Sequence, residues 1–262
     1  MKYCLSNRVN INYRNKADEI IIPYKDRRAI FDYAKKHPKA ALTLEVPPQT
    51  QWKIDELKEY SILSKGRLTL CLPEINESII AELKEAGIPY FWGYTVTTFY
   101  ELDALVECGV SQVRIGAPIF FMTDKLKNYG VKKRVAANIA HPGYLPNTKG
   151  VIGAWIRPED VELYEDVFDT IEFLDCPESN KEEALYRIYA EEKNWPGKVN
   201  MIISNIDNDA AYNRMLPRDF TEMRLNCGQG CLAGRSCRAC YRHMHLADRE
   251  LIKNYAEVMN LL

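Results

Sequence analysis

The chain has 262 residues, 47% of them hydrophobic, and a formal net charge of -1. That length can bury a full core and commonly forms one barrel domain, and the lack of net positive charge argues against a dedicated nucleic-acid binder. The first residues, MKYCLSNRVNINYRNK, lack the apolar core of a secretory signal, and no apolar run approaches the ~18 residues needed to cross a bilayer, so the expected location is cytoplasmic.

Short apolar runs alternate with helical patterns from Glu19 onward, and KYCLS ahead of them is a further candidate strand at the bottom of a barrel. EIIIPYK (19–25) reads as a strand, and RRAIFDYAKKH after it places Ala29, Ile30, Tyr33 and Ala34 on one helical face. ALTLEVP (41–47) precedes a helix near 52–60. RLTLCLP (67–73) is followed by ESIIAELKEAG, whose Ile79, Ile80, Leu83 and Ala86 face inward before Gly87 stops the helix. YFWGYT (90–95) leads into TFYELDALVECG, ended by Gly109. QVRIGAPIF (112–120) and KRVAANIA (133–140) flank a short helix around Asp124 to Tyr129, and HPGYLPNTKG is a loop. GAWI (153–156) runs into Pro158 at a helix start, with Glu159 and Asp160 in its first turn. DTIEFLD (169–175) and the helix SNKEEALYRIYAEEKNW complete the series.

Eight strand-like runs with crossover segments predict an α/β fold, a (β/α)8 TIM-like barrel over residues 1–197. An open doubly wound sheet is the rival, but no G-x-G-x-x-G follows the first strand. Residues 198–262 read as a C-terminal appendix: a strand at KVNMIISNID, a short helix opened by Pro217, a cysteine run and a final helix from about Ala247 to Leu261.

Catalytic groups of such barrels come from the C-terminal strand ends and the loops beyond. Alternation pairs Thr43 with Glu45, Thr69 with Cys71 and Thr170 with Glu172 on faces opposite the bulky apolar residues, so these polar faces are expected to line the lumen. Glu45 and Glu172 are candidate proton carriers, and His141, after the sixth run, is a candidate acid or base with a near-neutral pKa. Arg114, Asn138 and Arg157 are candidate substrate-binding residues, the arginines suiting an anionic group. A structural ion-pair network among Glu45, Glu172, Arg114 and Arg157 is the competing expectation. No H-E-x-x-H helix, G-x-S-x-G elbow or Walker loop is present.

Half of the eight cysteines fall in LNCGQGCLAGRSCRACYRHMHL (225–246). Cys227, Cys231, Cys237 and Cys240 form a C-x3-C-x5-C-x2-C pattern, and four thiolates on glycine-containing turns hold either zinc or an iron–sulfur cluster. The spacing leaves both open, with free or redox-active thiols a third option; His243 or His245 could replace one thiolate. Five arginines between Arg224 and Arg249 against Asp248 alone make the stretch locally basic, a candidate contact for RNA or another anion. Cys4, Cys71, Cys108 and Cys176 are expected to be buried as small hydrophobes.

The stretch WIRPEDVELYEDVFDTIEF (155–173) resembles the collagenase-like peptidase family, in which an I-R-P-E-D helix start precedes the last barrel strand. The eight-unit order and the cysteine-bearing C-terminal region are also similar, although EFLDC stands where that family tends to read K-I-x-G-R. The family includes iron–sulfur proteins of hydroxylation pathways acting on tRNA uridine or ubiquinone precursors. The resemblance implies a four-cysteine 4Fe-4S site at the barrel mouth and oxidative modification, such as hydroxylation, of a small molecule or nucleobase; peptidase activity is less favoured, because no nucleophile and base stand out. The alternative is a non-catalytic barrel, stabilised by zinc, that binds a protein or nucleic-acid partner.

Overall fold

The computed structural model describes residues 1–37, 39–48, 53–74, 77–116, 119–139, 141–142, 153–198, 201–204, 221–222 and 225. In chain order its elements are β1 (Lys2–Ser6), α1 (Ile11–Arg14), β2 (Glu19–Pro23), α2 (Arg27–Lys36), β3 (Ala41–Glu45), α3 (Ile54–Leu63), β4 (Leu68–Leu72), α4 (Glu77–Glu85) and β5 (Tyr90–Trp92). They continue with β6 (Thr95–Val96), α5 (Phe99–Glu107), β7 (Gln112–Ile115), α6 (Thr123–Lys127), β8 (Lys132–Ala136), β9 (His141–Pro142), β10 (Gly153–Ala154), β11 (Thr170–Glu172) and α7 (Ser179–Tyr186). Contacts divide the chain into two compact units. The first comprises Met1–Ile115, Gly130–Ala136 and Phe168–Tyr186; the second comprises Gly116–Tyr129, Ala137–Val167 and the residues from Arg187 onward.

The first unit is the barrel. Nine parallel strands are ordered β5-β4-β3-β2-β1-β11-β8-β7-β6. The two strands at the ends of that order are neighbours in the chain, β5 pairing with β4 and β6 with β7. They are the halves of one run broken at Gly93 and Tyr94, so eight runs go round a (β/α)8 barrel. Bulky apolar residues face outward: Leu5, Ile20, Leu44, Leu70, Ile115 and Ile171 are fully buried, shielded from water by the crossover segments. Burying such a side chain contributes roughly 1.5–3 kcal/mol, which fixes the strand faces because a slip of one residue would turn every leucine inward.

Local chemistry sets the helix limits. The Asp26 carboxylate accepts from the Ala29 amide at 2.9 Å and opens α2, which buries Ile30 and Tyr33. A capping box between Thr98 and Glu101 opens α5. Gly87 and Gly109 follow α4 and α5 at φ +64° and +78°, a left-handed geometry that favours glycine.

The count of eight agrees with the sequence pattern, but its membership differs. KYCLS is a barrel strand, β1, held between β11 and β2. GAWI is not: Gly153 and Ala154 pair antiparallel with β9 in a separate two-stranded sheet. Its apolar character serves another core, since Trp155 and Ile156 are buried in the second unit.

That second unit holds α6, the β9–β10 pair, a 3-10 helix at Pro158–Tyr164 and a π-helical stretch at Arg187–Glu192. The Tyr189 hydroxyl donates to the Ile156 carbonyl at 2.7 Å, and Ile139 bridges Ser204 in parallel fashion. The expected boundary between 197 and 198 falls within this unit, and most of the appendix, including its Pro217 and final helices, lies outside the described residues. Among the described residues no helix is long and apolar enough to cross a membrane.

Candidate functional site

Strand alternation turns a polar set into the barrel lumen, and hydrogen bonds tie it together. Arg134 lies at its centre, fully buried. Its Nη1 donates to Glu19 at 2.7 Å and to Gln112 at 3.1 Å, while Nε and Nη2 each donate to Glu172 at 3.3 Å. Arg114 approaches Glu172 with its fork, Nε to one carboxylate oxygen and Nη2 to the other at 3.1 Å, and its Nη1 donates to the Gly93 carbonyl. Thr43 donates to Glu19 at 2.5 Å, and the Phe91 ring lies 5.0 Å from the Arg134 guanidinium carbon. Two arginines therefore meet two glutamates with no net charge.

Burial alone would push the Glu172 carboxyl up, but Arg114 and Arg134 overwhelm it and hold the group down at about 2. Glu172 is thus ionised under ordinary conditions and a weak base. Burial pushes the Arg134 guanidinium down and Glu19 and Glu172 more than reverse this. The thiols of the same lumen are inert: burial raises Cys4 well above its ordinary range and Cys71 to about 12. The competing expectation of an ion-pair network thus describes Arg114 and Glu172, with different companions. Arg134 and Glu19 stand in it where Arg157 and Glu45 were expected. Both lie deeper along their strands than the C-terminal ends, on the inward face: Arg134 stands two residues before Ala136, and Glu19 two before Ile21.

At the C-terminal strand ends, Glu45 is exposed. Beside the end of β1 stands a second carboxyl. Glu182 on α7 is buried and accepts from the Ser6 amide and hydroxyl, both at 2.5 Å. Burial raises its carboxyl despite the Ser6 hydrogen bonds. The signal for it is helical spacing: Glu182 shares a face with the buried Leu185 and Tyr186 three and four residues on. Cys176 is buried nearby in sequence, its Sγ 3.4 Å from the Leu174 carbonyl and its thiol pushed up to about 11 by burial.

Three other predicted residues belong to the second unit. Asn138 is fully buried, and its carbonyl accepts from the Ser204 amide at 2.7 Å. Arg157, also buried, lies 3.4 Å from Asp160 and 3.9 Å from Glu159, and Asp160 accepts from Thr221. His141 opens β9 opposite Ala154. The cysteines Cys227, Cys231, Cys237 and Cys240 and the histidines His243 and His245 lie outside the described residues. Among the described residues no group of three or more His, Cys, Asp or Glu side chains could hold a metal ion.

No protein-family model and no curated protein sequence matches the chain. Among solved structures, a glycerol uptake operon antiterminator-related protein from Thermotoga maritima is similar at 11% identity, over 66% of this chain and 95% of that one, with a TM-score of 0.39. A cube-shaped, highly porous cage designed by fusing symmetric oligomeric domains is similar at 12% identity, over 74% of this chain and 73% of that one, with a TM-score of 0.42. Neither likeness bears on function at this level, and the barrel rests on its own strand order and register.

Proposed function

We propose that the chain is a cytoplasmic iron–sulfur-dependent barrel enzyme, of the iron–sulfur branch of the collagenase-like peptidase family, that modifies a small molecule or nucleobase oxidatively, hydroxylation being the reaction class. The observation that carries this reading is the run of four thiols, Cys227, Cys231, Cys237 and Cys240, within one short stretch. A set of four thiolates fits an iron–sulfur cluster, which supplies electron transfer when bound. Glu45, exposed at a strand end, handles protons, with His141 as the other acid or base. Arg114 orients an anionic group of the substrate and is itself oriented by Glu172, whose low pKa suits it to positioning rather than to proton transfer. Asn138 and Arg157 are further substrate contacts, and the locally basic cysteine stretch is the candidate RNA contact.

The test is metal analysis of the full chain purified without oxygen. Brown protein with about four irons and four sulfides per chain, both lost in Cys231→Ser and Cys237→Ser, is the expected result. Colourless protein holding one tight zinc overturns it. That outcome marks the second reading, a non-catalytic barrel stabilised by zinc, which the pairing of both lumen arginines with carboxylates favours.

A further inference from the structure

The strand starts, at the opposite end of the barrel from Glu45, carry charge that neither reading uses. The beginnings of β1, β2, β3 and β4 surround a cavity of about 640 Å³, within the range of small-molecule sites. Lys2, Arg14, Lys16, Lys36, Lys39 and Arg67 line it, against Asp18 as the one carboxylate in the lining. They arrive from the first residues of β1, the end of α1, the end of α2 with the turn after it, and the residue before β4. Arg67 is fixed in the wall by donating to the carbonyls of His37, at 3.3 Å, and Ala40. The Nε of Arg14 is buried and has no hydrogen-bond partner, an omission that costs free energy unless something else fills it.

The simplest account is that these cations offset helix C-termini, since α1 ends in Arg14 and α2 in Lys35 and Lys36. A helix end carries roughly half a negative charge, so two ends take up about one unit. Six cations face Asp18 in the lining and Asp32, which lies 3.8 Å from Lys36, so a net positive charge remains after the two helix ends are counted. In a hollow with protein walls such an excess focuses potential and attracts anions.

We propose that this cavity is a binding site for a small phosphate-bearing anion with at least two ionised phosphates, such as the pyrophosphate group of a nucleoside diphosphate. Lysine ammonium groups supply point charges for the phosphates, and the Arg14 guanidinium supplies a planar fork. The cations converge on a hollow from four strand starts and do not track along a groove, which fits a compact anion better than a polymer. The site is independent of the cysteine cluster and of the proposed reaction.

Calorimetric titration of the full chain with inorganic pyrophosphate at low salt tests it, alongside a Lys2→Glu/Lys39→Glu variant and Arg14→Gln. Both lysines are exposed, so the charge reversals leave the fold intact. The expected result is saturable binding, one anion per chain, weakened at least about tenfold in each variant and falling steeply with added salt. The imidazole resonances of His37, which lines the same cavity, shift on titration in the parent and not in the double variant. Absence of saturable binding up to ~10 mM, or equal binding by parent and double variant, overturns the proposal. A single-stranded RNA that binds this face and that pyrophosphate fails to displace overturns it as well.

Discussion

Two groups of basic residues occupy the first unit and meet opposite electrostatic conditions. In the lumen, Arg114 and Arg134 are buried and matched by Glu172 and Glu19. Around the strand starts, six cations outnumber the carboxylates of Asp18 and Asp32. The difference follows from solvation: a charge taken wholly out of water must meet an opposite charge, whereas one that water still reaches can remain in excess until a ligand arrives. Pairing steadies the lumen charges, and the unbalanced hollow is where an added anion gains most.

The contrast breaks most visibly at its buried side. Replacing Arg134 with Ala strands Glu19 and Glu172 without their shared partner and should lower unfolding free energy by about 3–5 kcal/mol in denaturant titrations; a loss below ~1 kcal/mol would mean that the lumen is hydrated and not sealed.

Acid should act on the same network. Glu172 is held near 2 when folded against an ordinary 4.5, so its contribution is fully present above about 4.5 and lost as pH falls from there through about 2. The 2.5 units amount to about 3 kcal/mol at 1.36 kcal/mol each, readable as a drop in denaturation midpoint between pH 6 and pH 2.5. Glu182 runs the other way. Its carboxyl is raised, so its contribution is complete at low pH and declines as pH climbs from 4.5 through the raised value. Glu182→Gln should remove that decline at a cost of about 1–3 kcal/mol, because the amide cannot accept from both Ser6 donors.

The smallest effect belongs to the exposed hollow. Lys2→Glu/Lys39→Glu should leave stability within about 0.5 kcal/mol, so thermal melts of parent and variant should overlay while their pyrophosphate affinities separate. A large loss of stability would show that these lysines are structural partners and erase the distinction between the two regions.

How legible these regions are in the sequence depends on which interactions decide them. The barrel is written in alternation, because outward leucines and inward polar residues repeat at a period of two wherever a strand is half lined by helices. GAWI misleads since an apolar run bounded by glycine reads as a buried strand whatever core it serves, and KYCLS is too short for periodicity to separate it from a loop. The lumen polar set is partly legible: Arg114 and Glu172 follow from their strand faces, but which arginine answers which glutamate depends on barrel stagger, and that is set by pairing between strands distant in the chain. Arg134 and Glu19 enter only once that register is known. The basic hollow is the least legible feature. Its residues are scattered singly from Lys2 to Arg67, each unremarkable alone, and only the meeting of four strand starts brings them together.

The break at Gly93 gives the barrel a seam. The ladder from β4 ends where the Gly93 amide donates to the Leu72 carbonyl at 2.8 Å, and pairing resumes on the other side only at β6. Across the gap the Gly93 carbonyl is held by Arg114, a side chain that also grips Glu172 from a strand beyond. A methyl group at position 93 would stand 3.1 Å from Cys71 Sγ and 3.3 Å from the Leu72 carbonyl, so the join has little room to spread. Below it the Ser111 amide and hydroxyl donate to the Tyr90 carbonyl at 2.9 and 3.0 Å, so closure combines a backbone bond with a guanidinium that also pairs a lumen carboxylate. Opening the seam at Gly93 would therefore loosen one of the two arginines that hold Glu172.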